Sequence, residues 1–157
     1  MKSITIILIA CLFICNVQAQ DSSIVQKEIA QALNAYDNKN YTEAFRLLSK
    51  NKESAEFTPE AQVDLGLMYS DGNGVAQNYT EAIKWYRKAA ELGYSYGQNN
   101  LGTVYENGEG VEKNYTEAIK WYQKAAEQGQ VNGEYNLGKM YYYGHGVEKN
   151  YAEAIKW

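Results

Sequence analysis

Cysteine is nearly absent from this chain, and the position of the two it has matters more than their number. Cys11 and Cys15 both lie in the N-terminal stretch MKSITIILIACLFICNVQA. That stretch has one lysine near its start, an apolar run from Ile4 to Ile14 and a small residue at Ala19. It reads as a secretory signal peptide, residues 1–19, cut before Gln20, and the run is short for a spanning helix. LIAC, at Leu8 to Cys11, resembles a lipoprotein cleavage box, but cutting there leaves about four apolar residues, too few for a usable apolar region. The mature chain then holds no thiol for a disulfide or a thiolate metal site, so packing alone must hold it together. Histidine is as scarce. His145 is the only one, and a metal site needs about three or four protein ligands. A surface turn histidine, no metal and no cofactor are expected. Basic tracts are missing too: losing Lys2 leaves 14 basic against 19 acidic residues, a net charge of −5. Such a surface argues against nucleic acid as a partner. After Gln20 no apolar stretch is long enough to cross a bilayer, so the mature chain is expected to have no integral membrane segment and to be periplasmic or secreted.

What the chain does have is repetition. NYTEAIKWYRKAAELG begins at Asn78, NYTEAIKWYQKAAEQG at Asn114 and NYAEAIKW at Asn150, an offset of 36 residues each time. The same offset links Leu65, Leu101 and Leu137, then Gly66, Gly102 and Gly138, then Tyr69, Tyr105 and Tyr141. It also links Gly72, Gly108 and Gly144, and Gly74, Gly110 and Gly146. A period of that length signals stacked helical hairpins. The expected fold is all-α: a right-handed α-solenoid of antiparallel hairpins related to tetratricopeptide repeats. After the signal segment, residues 20–57 form a cap hairpin. Residues 58–157 form the repeats, 58–93, 94–129 and 130–157, the last incomplete.

Each repeat decodes in the same way. A first helix runs from about Glu60 to Ser70, with Ala61, Leu65 and Tyr69 on one face. Gly66 inside that helix costs about 1 kcal/mol against alanine, so a neighbouring helix is expected to approach closely there. A second helix starts at Tyr79. Ala82, Tyr86, Ala89 and Ala90 give it a mostly small-residue face and Trp85 a large plug, with Ala118, Ala125, Trp121 and Trp157 in the equivalent places. Asn78 with Glu81 imitates a capping box, as do Asn114 with Glu117 and Asn150 with Glu153. Gly93 and Gly129 stand where a left-handed helix end is wanted, and Thr58-Pro59 opens the first hairpin. ALNAYDNKNYTEAFRLL carries the related signature at Asn40 with the short turn DNKN, giving a hairpin from about Ile24 to Asn51. The last second helix stops at Trp157, before the expected YxKAAExG. The chain therefore reads as a truncated array.

The Gly-x-Gly of YENGEGVEKNYTEAIKWY, Tyr105 to Tyr122, could be mistaken for a phosphate loop. A phosphate loop follows a strand and ends in Lys-Ser/Thr; this one recurs three times between helices. Glu109, Glu112 and Glu117 are a turn, a loop and a cap residue, with no catalytic pairing. No serine follows His145 closely enough for a nucleophile–base pair.

These motifs resemble those of the SEL-one-like repeat family, whose pattern is A-x-x-x-L-G-x-x-Y-x-x-G-x-G-V, an Asn or Asp, then A-x-x-W-x-x-x-A-A-x-x-G. AQVDLGLMYSDGNGVAQNYTEAIKWYRKAAELG, from Ala61 to Gly93, meets every position. Gly97 and Gly133 replace the leading alanine in the next two units. The resemblance implies an adaptor or scaffold for a protein or peptide partner, with no catalysis of its own, acting in bacteria in the envelope, in signalling or in host contact. A eukaryotic branch serves quality control in the ER lumen, which is the alternative setting. Some cysteine-rich bacterial members bind or slowly hydrolyse β-lactams, which is the enzymatic alternative. Those members staple each hairpin with a disulfide, for which the mature chain here has no cysteine.

Positions that vary at equal phase are where specificity can lie. Val63, Leu67 and Ser70 point away from the Leu65/Tyr69 face. Their equivalents are Asn99, Thr103 and Glu106, then Tyr135, Lys139 and Tyr142. These nine form a candidate partner-binding ribbon, richest in tyrosine at its third segment. Asn40, Asn78 and Asn114 also head Asn-Tyr-Thr glycosylation sequons, but each is already explained as a helix cap.

Overall fold

The computed structural model describes the backbone from Lys2 to Trp157 and the side chains from Gln20 onward. The side chains of the expected signal segment, residues 1–19, lie outside the described residues. Among those described, the chain is all helix with no strand. It divides into two units, residues 1–57 and 58–157. The first holds α1 (Lys2–Asp37) and α2 (Tyr41–Asn51), which pack on each other. The second holds α3 (Pro59–Asp71), α4 (Tyr79–Glu91), α5 (Ser95–Asn107), α6 (Tyr115–Ala126), α7 (Val131–Tyr143) and α8 (Tyr151–Lys156). Here α3 pairs with α4, α5 with α6 and α7 with α8, while α4 packs on α5 and α6 on α7, as in an α-solenoid.

The helices start and stop where side-chain chemistry tells them to. Thr58 accepts from the Ala61 amide with Pro59 in the first turn, and the Asn78 and Asn114 side chains accept from the amides of Glu81 and Glu117 at 3.2 and 3.0 Å. The expected capping box is only half made. Its reciprocal bond would use the Asn78 amide, but that amide donates to the Tyr69 carbonyl at 2.7 Å, and Asn114 repeats this with Tyr105 at 2.8 Å. The glutamates are therefore free to pair one turn on, Glu81 with Lys84 and Glu117 with Lys120. At the helix ends, the Gly93 amide bonds to the Ala90 carbonyl and the Tyr94 amide to Ala89. That is a Schellman motif closed by a glycine at φ 86°.

The first unit makes its turn differently. Lys39, with φ 59°, is the one described non-glycine residue in the left-handed region. Its amide bonds to Tyr36 and that of Asn40 to Ala35, the same motif without the glycine.

Packing explains the glycines inside the helices. A Cβ on Gly66 would stand 2.5 Å from the ring of Tyr86, and one on Gly102 2.6 Å from that of Tyr122. The second helix of each hairpin thus lays a tyrosine across the glycine of the first. Gly97 serves the next level: a Cβ there would meet Ala89 Cβ at 2.7 Å and the Ala90 amide nitrogen at 2.9 Å. Glycine in place of the leading alanine is what lets α5 seat on α4. Two apolar clusters result. Ala82, Ile83, Tyr86, Ala90, Leu101 and Val104 join the first two hairpins, and Ala118, Ile119, Tyr122, Ala126, Leu137 and Met140 join the second and third.

The three tryptophans are not equivalent plugs. Trp85 is buried, whereas Trp121 and Trp157 are only half-buried. Trp121 rests on the first cluster with Lys124 Nζ 4.2 Å above its ring. The fully buried ring at that level is Tyr122.

Candidate protein-binding face

The expected ribbon divides on inspection. Val63 and Asn99 are buried, so neither offers a contact surface, and the reading that placed them on an exposed face is corrected. A period of 3.6 residues tells which way a side chain points from its own helix, not whether the next hairpin covers it. Leu67, Ser70, Thr103, Glu106 and Lys139 are half-buried. Tyr135 and Tyr142 are exposed, at 69% and 51%. They stand on α7, seven residues apart, with Lys139 between them. Together with Val131, Tyr143, Tyr151 and Trp157 they line an open hollow of about 640 Å³ floored by Gly138.

In its middle, the ribbon is knitted into the fold. The Tyr122 hydroxyl donates to Glu106 Oε2 at 2.7 Å, and Lys139 Nζ lies 2.9 Å from Glu106 Oε1. Thr103 Oγ1 lies 3.2 Å from the same hydroxyl, and the Asn136 amide group donates to Asn99 Oδ1 at 3.0 Å. Burial pushes the Tyr122 hydroxyl far above the ordinary phenol range, and the Glu106 carboxylate it donates to pushes the same way. Sequence reasoning missed Tyr122 as the partner of Glu106, because an invariant core tyrosine gives no sign of where its hydroxyl lands.

The Gly-x-Gly turns hold no ligand cradle. Gly108 and Gly110 have φ of 76° and 73°. The space where a Cβ of Gly110 would point is taken by Tyr79 Cβ at 2.7 Å, and Gly146 meets Tyr115 Cβ at 2.6 Å. Gly110 and Gly146 are therefore stacking contacts with the hairpin before each of them. His145 lies in the turn after α7, as expected, but half-buried. Its ring stacks on Tyr115 at 4.8 Å and on Tyr143 at 5.6 Å, so it joins the second and third hairpins. Among the described residues, no three His, Asp or Glu side chains converge as metal ligands would.

Short two-helix units, a tyrosine laid over a helix glycine, and glycine turns stacked on the preceding unit define a helical repeat protein. Residues 59–94, 95–130 and 131–157 each match the Sel1 repeat, one residue later than the periodic reading at each start. The chain belongs to the Sel1 repeat family, whose members generally act as non-catalytic scaffolds that bind other proteins. It is similar to a Sel1 repeat protein from Oxalobacter formigenes, at 41% identity and a TM-score of 0.76 over 83% of this chain and 51% of that one. It is also similar to c5321, a protective antigen present in uropathogenic Escherichia coli strains displaying an SLR fold, at 38% identity and a TM-score of 0.78. That match covers 88% of this chain and 30% of the antigen. Helicobacter pylori cysteine rich protein B matches at 28% identity and a TM-score of 0.53, over 80% of this chain and 82% of that one. The chain thus spans about half of the first of these proteins and under a third of the second. Comparison with curated proteins returns no match.

Proposed function

We propose that this chain is an exported scaffold that engages a protein or peptide through the face of α7, without catalysis of its own. The observation that carries the reading is the run of three Sel1 repeats, with Tyr135 and Tyr142 on either side of Lys139 as the candidate contacts. Tyrosine supplies large contact area at low rotamer cost, and an exposed apolar surface rimmed by polar groups is a common mark of a protein-binding site. Family membership supports a protein as the partner. Export rests on the layout of residues 1–19, and a similar protein being a protective antigen fits it.

Replacing Tyr135 and Tyr142 together by alanine in the full-length gene product is expected to lose a partner that the unaltered protein captures from its native envelope. Capture unchanged by the double substitution would refute the α7 face. Export is tested separately: the N-terminal residue of the purified native protein should be Gln20, and a mature chain still starting at Met1 would refute it.

A further inference from the structure

We propose that Glu106 is a positioning residue that locks α7 to the second hairpin, holding the surface between Tyr135 and Tyr142 in place through Lys139. The functional meaning of the lock rests on the α7 reading above; its existence does not. Both carboxylate oxygens of Glu106 are engaged, one by the Tyr122 hydroxyl at 2.7 Å and the other by Lys139 Nζ at 2.9 Å. The Glu106 side chain is 14% exposed and that of Lys139 30%. The pair is thus shielded enough to be worth more than a surface ion pair.

Tyr122 is fully buried on α6 and lies across Gly102 of α5. One side of the lock is therefore anchored in the core of the second hairpin. The other side is a lysine on α7 four residues from Tyr135 and three from Tyr142, on the same helix surface. A second tie runs parallel to it, from Asn136 to Asn99. At the junction before it, the positions equivalent to Glu106 and Lys139 are Ser70 and Thr103, which cannot form an ion pair. Residues that vary between repeats have become bonds between two particular repeats. A surface already held in its binding geometry loses less entropy on association.

Hydrogen exchange on the full chain tests the lock without any partner. Glu106→Gln and Lys139→Met are each expected to speed exchange of the α7 amides about tenfold relative to those of α3, because local opening free energies reflect local contacts. The double variant should be no worse than the more damaging single one, since both remove the same interaction. Tyr122→Phe keeps the lysine pair. Within that background, Glu106→Gln and Lys139→Met should still fail to add. Additive effects in the double variant, or loosening of α3 as large as that of α7, would overturn the proposal. Either result would leave the capture experiment on Tyr135 and Tyr142 unaffected, so the two readings can fail separately.

Discussion

The junction between the first and second hairpins and the junction between the second and third are built on the same positions, yet they hold differently. Each has an apolar cluster with a glycine of the later hairpin seated on an alanine pair of the earlier one: Gly97 on Ala89 and Ala90, Gly133 on Ala125 and Ala126. At the first junction an exposed link runs from Arg87 to the Tyr105 hydroxyl at 3.1 Å, and a buried one from the Gln98 amide group to the Ala90 carbonyl at 3.3 Å. The second carries the half-buried Tyr122–Glu106–Lys139 chain and the Asn99–Asn136 bond, each with a side chain that differs from its equivalent one repeat earlier. Constant positions make hairpins stack. Varying positions decide how firmly one particular pair is held, and that leaves fewer of them to face a partner.

The largest way to break this comparison is to part each junction in turn. Gly97→Leu would drive a side chain against the backbone of Ala90, which cannot swing aside as a side chain can. A cost of about 3 kcal/mol is expected, at the upper end of ordinary overpacking. Gly133→Leu meets Ala125 Cβ at 2.7 Å and the Ala126 nitrogen at 3.1 Å, and it should cost nearly as much. In a quasi-one-dimensional array each change weakens its own junction, so unfolding should split into two steps at different places along the chain. Circular dichroism melts with exchange mapping would show it. A single cooperative loss with both variants alike would mean that the two junctions do not act separately.

A middle-sized effect tests the polar chain of the second junction. Tyr122→Phe removes a hydrogen bond to a charged group and is expected to cost about 1.5 kcal/mol in chemical denaturation. The same residue has a pH signature. Its hydroxyl is raised from an ordinary value of 10.0 by burial and by Glu106, so the folded state keeps a proton that the unfolded chain gives up. The stabilisation is whole below the unfolded value and is lost progressively as pH rises above about 10. The unaltered protein should therefore lose stability between pH 10 and about pH 12 more steeply than Tyr122→Phe, as followed by denaturant midpoints. Parallel curves would show that Tyr122 is not a source of the alkaline sensitivity.

Much of this architecture was legible in the sequence because it rests on identity at a fixed spacing. The starts at Tyr79 and Tyr115, the left-handed ends at Gly93 and Gly129, and a close approach at Gly66 all follow from local chemistry repeated in phase. Three things were not legible. Whether Asn78 completes a capping box depends on the Tyr69 carbonyl nine residues away, which claims its amide first. Whether Trp121 is a plug depends on what lies over it, which an identical motif around Trp85 cannot tell. Val63 and Asn99 were assigned to a surface by helical angle, but burial belongs to the neighbour as much as to the helix. The varying ribbon gave no sign that its middle serves the fold.

The smallest effect sharpens the comparison from the other side. Arg87 and the Tyr105 hydroxyl make a link that is exposed. Ordering a long arginine side chain offsets most of what such a bond contributes, and exposed substitutions of this kind usually stay within about 0.5 kcal/mol. Arg87→Gln is therefore expected to leave the midpoint of denaturation nearly unchanged and to leave exchange at α4 and α5 as it was. If instead it loosened the first junction as much as Glu106→Gln loosens the second, the contrast between the junctions would lie in their geometry rather than in how deeply their polar bonds are set. The pair of variants separates those two causes, because the hairpins they join share the same apolar seats.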